Sequence, residues 1–113
     1  MPKFITIGYG DRDGYERTPE KIRNLAHAHD ASLLQQGVLM GIAGMPLQVR
    51  NPEAAGVCTE PGAFMSSRLP VAGFAVIEAE NIEAAVKMVA QSPCAVAHGV
   101  VEVWPLEQLN SAA

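Results

Sequence analysis

The chain has 113 residues, 49% of them apolar and 18% charged, with 12 acidic against 8 basic side chains and a formal net charge of -4. That length builds one domain around one core, here taken as residues 1–113, and the apolar fraction excludes a disordered chain. Lys and Arg are scattered singly, without the basic stripe that neutralising phosphates demands, so nucleic acid is excluded as a partner.

Met1 to Ile7 lacks a charged segment followed by a long apolar one, and no apolar run approaches the roughly 20 residues needed to span a bilayer. The expectation is a cytoplasmic protein with no membrane partner. Cys58 and Cys94 lie far apart in sequence, with no CxxC and no histidine at ligand spacing, which favours structural thiols over a metal site.

Lys3 to Gly8 is short, β-branched and aromatic, and reads as the first strand. The following GYGDRDGY is turn-rich. Its glycines miss a dinucleotide fingerprint because Asp13 stands where the third glycine is required. Its aspartates miss a calcium loop because Ile22 takes the place of the closing glutamate. It reads as a solvated turn, and the chain is expected to carry no cofactor and no metal.

Thr18 and Pro19 predict a helix start, a hydroxyl cap before proline at the first helical position, and Gly37 predicts its end. Across 19–36 the apolar stripe is Ile22, Leu25, Ala26 and Leu33, which puts His29 in its middle and Asp30 on one flank. Val38 to Gly44 reads as the second strand, apolar on both sides. LQVRN suggests a short third strand, with a further brief one around Val57 to Thr59. Arg50 to Val71 is a Pro-, Gly- and Ser-rich excursion whose Phe64 and Met65 require somewhere to pack, and loops of this length are often functional.

Ala72 to Pro105 reads as strand, helix, strand. Ile82, Ala85, Val86, Val89 and Ala90 recur at helical spacing, with Asn81 as the cap and Pro93 as the stop. The flanking runs are apolar on both faces, with Glu78 and Glu102 as the charges near the strand ends.

This order predicts an α+β domain, the split β-α-β-β-α-β of the ferredoxin-like fold with an extra short hairpin. Two helices cover one face of such a sheet, so the other needs cover of its own. A second copy related by a two-fold axis supplies it, giving a homodimeric α+β barrel with Trp104 in the dimer core.

The first strand with its GYGD turn, QQGVLMGIAG, TEPGAFMSSRLPVAGFAVIEAENIEAAVKMVAQSP and the closing VEVWP together resemble the YCII-related proteins, in particular their DGPF branch. The resemblance covers nearly the whole chain. It departs where that branch has T-D-G-P-F: here the run is Thr59, Glu60, Pro61, Gly62, Ala63, Phe64. Trp104 replaces the arginine of the closing motif. Ala26 falls about where such members carry a first-helix histidine, with His29 one turn on.

The resemblance implies a cleft between the first helix, the sheet and the long loop. The candidate catalytic residues are His29 and Glu60, and the candidate ligand-binding residues are Tyr9, Asp30, Phe64 and Arg68. A buried His29 oriented by a carboxylate can act as a general base, with Glu60 or Tyr9 as the partner arriving from another element. The competing reading is a core histidine bonded to backbone. Phe64 is expected in the cleft wall and Arg68 on an anionic ligand. Two function classes follow: a lyase- or isomerase-type enzyme acting on a small organic acid or lactone, or a non-catalytic dimer that binds a ligand or a partner.

Overall fold

The structure, a computed structural model, describes residues 1–108. It is a mixed α+β arrangement of a four-stranded antiparallel sheet, a separate two-stranded sheet and four helices. The chain runs β1 (Lys3–Tyr9), α1 (Arg12–Arg17), α2 (Glu20–Gln35), β2 (Leu39–Ile42), β3 (Leu47–Arg50), a 3-10 turn (Pro52–Ala54) and β4 (Cys58–Pro61). It continues through β5 (Val71–Glu78), α3 (Ile82–Val89), α4 (Pro93–Val96) and β6 (Val100–Leu106). The main sheet is ordered β2-β5-β1-β6, and β3 pairs with β4 alone.

Several ends are fixed by local chemistry. Asn81 caps α3 by accepting from the Ala84 amide at 2.8 Å. Gly37, at φ +90°, closes α2: its amide donates to Leu34 and that of Val38 to Leu33, the paired carbonyl capping that a left-handed residue permits.

Three local expectations are corrected. The GYGDRDGY segment is not a solvated turn but contains α1, started by Asp11, whose carboxylate accepts from the Gly14 amide at 2.9 Å, and braced by the Asp13–Arg17 ion pair one turn apart. Thr18 therefore ends α1 instead of starting α2; its buried hydroxyl donates to the Gly14 carbonyl, and α2 begins without a side-chain cap. Pro93, expected as the stop of the preceding helix, also opens α4, because its missing amide is no loss at a first helical turn, and Cys94 to Val96, expected in the run of the last strand, join that helix.

Strand alternation gives the sheet two unlike faces. Phe4, Thr6 and Gly8 point to one, opposite Ile77, Ala75 and Gly73 of β5. This face carries the helices and the core, in which Phe4, Ile77, Ala79, Ala85 and Val89 are buried and Val101 and Val103 partly so. The inward positions of the helices go to Ala26, Leu33, Ala85 and Val89. Ile22, Leu25, Ile82 and Val86 lie exposed on the flanks, so the expected stripes are rotated: small alanines admit the close approach, and the bulkier neighbours are turned aside.

The second face presents Ile5 and Ile7 beside Val76 and Phe74 of β5, and beside Trp104 and Glu102 of β6. No helix covers it. Leu39, Phe74, Val100, Trp104 and Leu106 are all exposed there, Leu39 by 74%. Among the described residues no helix is long and apolar enough to cross a membrane.

Candidate functional site

The residues singled out in the sequence separate into three places. His29 and Asp30 lie in the helical layer. There a His29 ring nitrogen, Nε2, is 2.5 Å from the Met88 carbonyl of α3, so its partner is backbone rather than Glu60 or Tyr9. The imidazole clips the two long helices together. Asp30 is partly buried, and burial raises its carboxyl above the ordinary value of 3.8, against the opposing pull of His29 and His27. Cys94 of α4 lies in the same layer, its sulfur against Gly8, and burial followed by the charge of Asp30 keeps its thiol protonated.

Glu60 and Phe64 belong to the β3–β4 hairpin and the loop after it. Glu60 pairs with Arg50 at 3.4 Å, with both side chains well exposed. Phe64, expected in a cleft wall, is 82% exposed, with the Arg50 guanidinium 5.7 Å from its ring centre. The hairpin pairs with itself and not with the main sheet, and the segment that follows β4 leaves Phe64 exposed.

Tyr9 and Arg68 do come together, at one end of the open face. Tyr9 is the last residue of β1, and its hydroxyl donates to Glu102 Oε1 at 2.8 Å. Trp104 Nε1 donates to the same oxygen at 3.3 Å. The three share a face because β1 and β6 pair with Ile7 opposite Glu102 and Tyr9 opposite Val100. The loop before β5 then folds over them, tied down by the Gly10 amide to the Pro70 carbonyl at 3.1 Å and placing the Met65 sulfur 3.1 Å from the Tyr9 hydroxyl.

Between loop and sheet is an open cavity of about 430 Å³, with Tyr9, Glu102 and Val100 on one side and Met65 to Leu69 on the other. Ser66, Ser67 and Arg68 line the loop side of the cavity, and the Ser67 hydroxyl donates to the Leu69 carbonyl. A wider depression of about 500 Å³ on α2, bounded by Glu20, Lys21, Asn24 and Leu25, is shallower and gathers no buried polar group.

The hydrogen bond to Glu102, then burial, then the carboxylate's charge push the Tyr9 hydroxyl above its ordinary value of 10.0. It therefore acts as a donor at neutral pH, never as a base. Both donors engage Oε1, and Oε2 has no hydrogen-bond partner among the described residues. Geometry thus holds one carboxylate oxygen and leaves the other for a ligand. No group of three or more His, Cys, Asp or Glu side chains able to hold a metal gathers among the described residues.

Glu102 is the residue that sequence reading placed only as a charge near a strand end. The signal for it was its isolation, a single charge in the apolar VVEVW, in phase with Val100 and Trp104. The backbone around the site is also tight. A Cβ on Gly99 would run into the Tyr9 carbonyl and come within 2.6 Å of that of Cys94, so this turn requires glycine.

Compared with known proteins, the chain matches no family model and no curated sequence.

Proposed function

We propose that this is a YCII-related, DGPF-branch protein, a cytoplasmic homodimer of ferredoxin-like protomers that binds a small organic acid or lactone at the Tyr9–Glu102–Arg68 cavity and moves a proton on it. The strand order β2-β5-β1-β6, with helices on a single face, supports the ferredoxin-like reading. The exposed Leu39, Phe74, Trp104 and Leu106 on the other face support the dimer, because soluble monomers seldom carry so contiguous an apolar patch. Two free cysteines suit a reducing compartment.

The observation that carries the function is the half-satisfied Glu102 carboxylate in a largely apolar cavity that Arg68 also lines. Arg68, with Ser66, takes the ligand's carboxylate or lactone oxygen. Glu102 Oε2 removes a proton from the adjacent carbon. The pair of electrons left behind is delocalised onto the oxygen held by Arg68. Return of the proton to a different carbon completes an isomerisation; departure of a β-substituent with that electron pair completes a lyase reaction. Tyr9 and Trp104 fix the rotamer of Glu102 and take no part in proton transfer. The cavity volume suits a ligand of modest size.

The alternative is a non-catalytic ligand- or partner-binding dimer, favoured by the openness of the cavity and the exposure of Arg68. The test is a thermal-shift screen of small carboxylic acids and lactones, followed by NMR of solvent deuterium entering the bound ligand. Arg68→Ala is expected to lose binding. Glu102→Gln is expected to keep it and lose deuterium exchange. Binding without exchange selects the non-catalytic reading, and the absence of any binder at millimolar concentration removes both.

A further inference from the structure

Among the described residues the β3–β4 hairpin is an amphipathic arm that pairs only with itself. Its ladder sets Leu47 opposite Pro61 and Val49 opposite Thr59 on one face, and Gln48 opposite Glu60 and Arg50 opposite Cys58 on the other. The polar face is satisfied internally: Arg50 binds both Glu60 and Gln48. The apolar face is bare, with Leu47 65% and Val49 66% exposed. The arm is a built ribbon, not a slack loop, since the Gly62 amide donates to the Pro46 carbonyl and Gln48 Nε2 to that of Gly62. It also stands off the body. The radius of gyration is 16.4 Å, against about 13 Å for a compact chain of this length.

We infer that this arm clasps a second copy of the chain, its Leu47–Val49 face packing on the partner and completing the dimer contact begun by the open sheet face. The inference rests on the dimer reading above. Two considerations favour a second copy over another occupant. The first is area: four strands of up to seven or eight residues, at ~3.3 Å per residue and ~4.8 Å between strands, give the sheet a footprint of roughly 400 Å², about half the ~800 Å² per partner of a stable complex. The second is continuity: the arm follows directly from β2, the sheet's edge strand, so the exposed Leu39 of the open face and the exposed Met45, Leu47 and Val49 run along one stretch of chain from sheet to arm. The arm's few charges largely cancel, which argues against a nucleic acid or an anionic lipid surface.

The experiment combines mass with cross-linking. Cys58 is exposed on the arm while Cys94 is half-buried with its thiol held protonated, so a photoactivatable maleimide attaches at Cys58. Illumination is expected to give a covalent species of twice the 12.0 kDa chain, its cross-linked peptide mapping to the partner. In light scattering, Leu47→Ser/Val49→Ser is expected to weaken dimerisation tenfold or more, with an unchanged circular dichroism spectrum. An arm variant that dimerises like the native chain, or cross-links confined to a single chain, would overturn the clasp and leave the dimer standing. A monomeric native chain at high micromolar concentration would overturn the dimer and the clasp together, leaving ligand binding at the Glu102 cavity as a separate question.

Discussion

The two faces of the main sheet are made from similar residues and treated in opposite ways. On the helical face, Phe4 and Ile77 are 4% and 1% exposed, and small residues such as Ala85 and Gly8 bring helices and strands close together. On the open face, Phe74 and Trp104 are about half exposed although they lie in the same strands or their neighbours. An apolar strand thus says that both sides are to be covered without saying by what. The covered side stabilises the protomer; the other offers surface for recognition, and at its end it holds the Glu102 carboxylate.

The most direct way to break this contrast is to truncate one phenylalanine on each side. Phe4→Ala is expected to cost about 3 to 5 kcal/mol in urea unfolding, through lost transfer energy and the cavity left behind. Phe74→Ala, measured at concentrations where the chain is monomeric, should cost under about 1 kcal/mol. Equal losses would mean that the open face is packed within the protomer, contrary to its exposure.

A smaller effect sharpens the role of the carboxylate end. Tyr9→Phe keeps the ring and removes the donor to Glu102, with an expected loss of stability at neutral pH smaller than that of Phe4→Ala. Because the folded state raises the Tyr9 hydroxyl above 10.0, its contribution is complete below pH 10.0 and fades as pH climbs through the higher folded value. Denaturant midpoints should therefore fall more steeply in alkali for the native chain than for the phenylalanine variant. Parallel curves would show that the hydrogen bond is not formed in solution.

The smallest expected change lies in the helical layer. Burial raises the Asp30 carboxyl, so the folded state binds its proton more tightly than the unfolded chain does. Stability from this group is greatest below the ordinary 3.8 and declines as pH rises through the folded value, the reverse of a salt-bridged aspartate. Asp30→Asn should be modestly more stable than the native chain at pH 7, with the advantage vanishing near pH 3. A variant less stable at pH 7 would indicate that ionised Asp30 has a stabilising partner.

What could be read in the sequence was what neighbours in the chain decide. Asn81 and Gly37 mark helix ends because capping involves residues three or four apart, and the β1 and β5 strands follow from short apolar runs. Helix α1 was missed although its signals are local, Asp11 as cap and Asp13 with Arg17, because the glycines around them resemble a turn. The faces of α2 and α3 were read in part: Ala26, Leu33, Ala85 and Val89 of the expected stripes are buried, whereas Ile22, Leu25, Ile82 and Val86 are exposed, because packing against neighbouring elements rewards the smaller side chain that hydrophobicity ranks lower. The candidate site was half legible. Tyr9 and Arg68 were named as polar groups near a cleft, but the union of Tyr9 with Glu102 spans 93 positions and is set by strand register, which no local pattern displays.

Register holds one more consequence. Gly8 pairs with Gly73 and Tyr9 with Val71, so Ala72 is an extra residue in β5, a bulge whose carbonyl is taken up by the Ala43 amide of the chain leaving β2. From Gly73 onward the ladder does not depend on it. Deleting that one codon would leave the ladder from Gly73 onward in register and turn everything before it by half a strand period, carrying the Met65 sulfur away from the Tyr9 hydroxyl. The lid over the carboxylate is thus encoded by a residue count rather than a residue type, and a single in-frame loss or gain at this point would give descendants of this chain a differently roofed cavity on an unchanged scaffold.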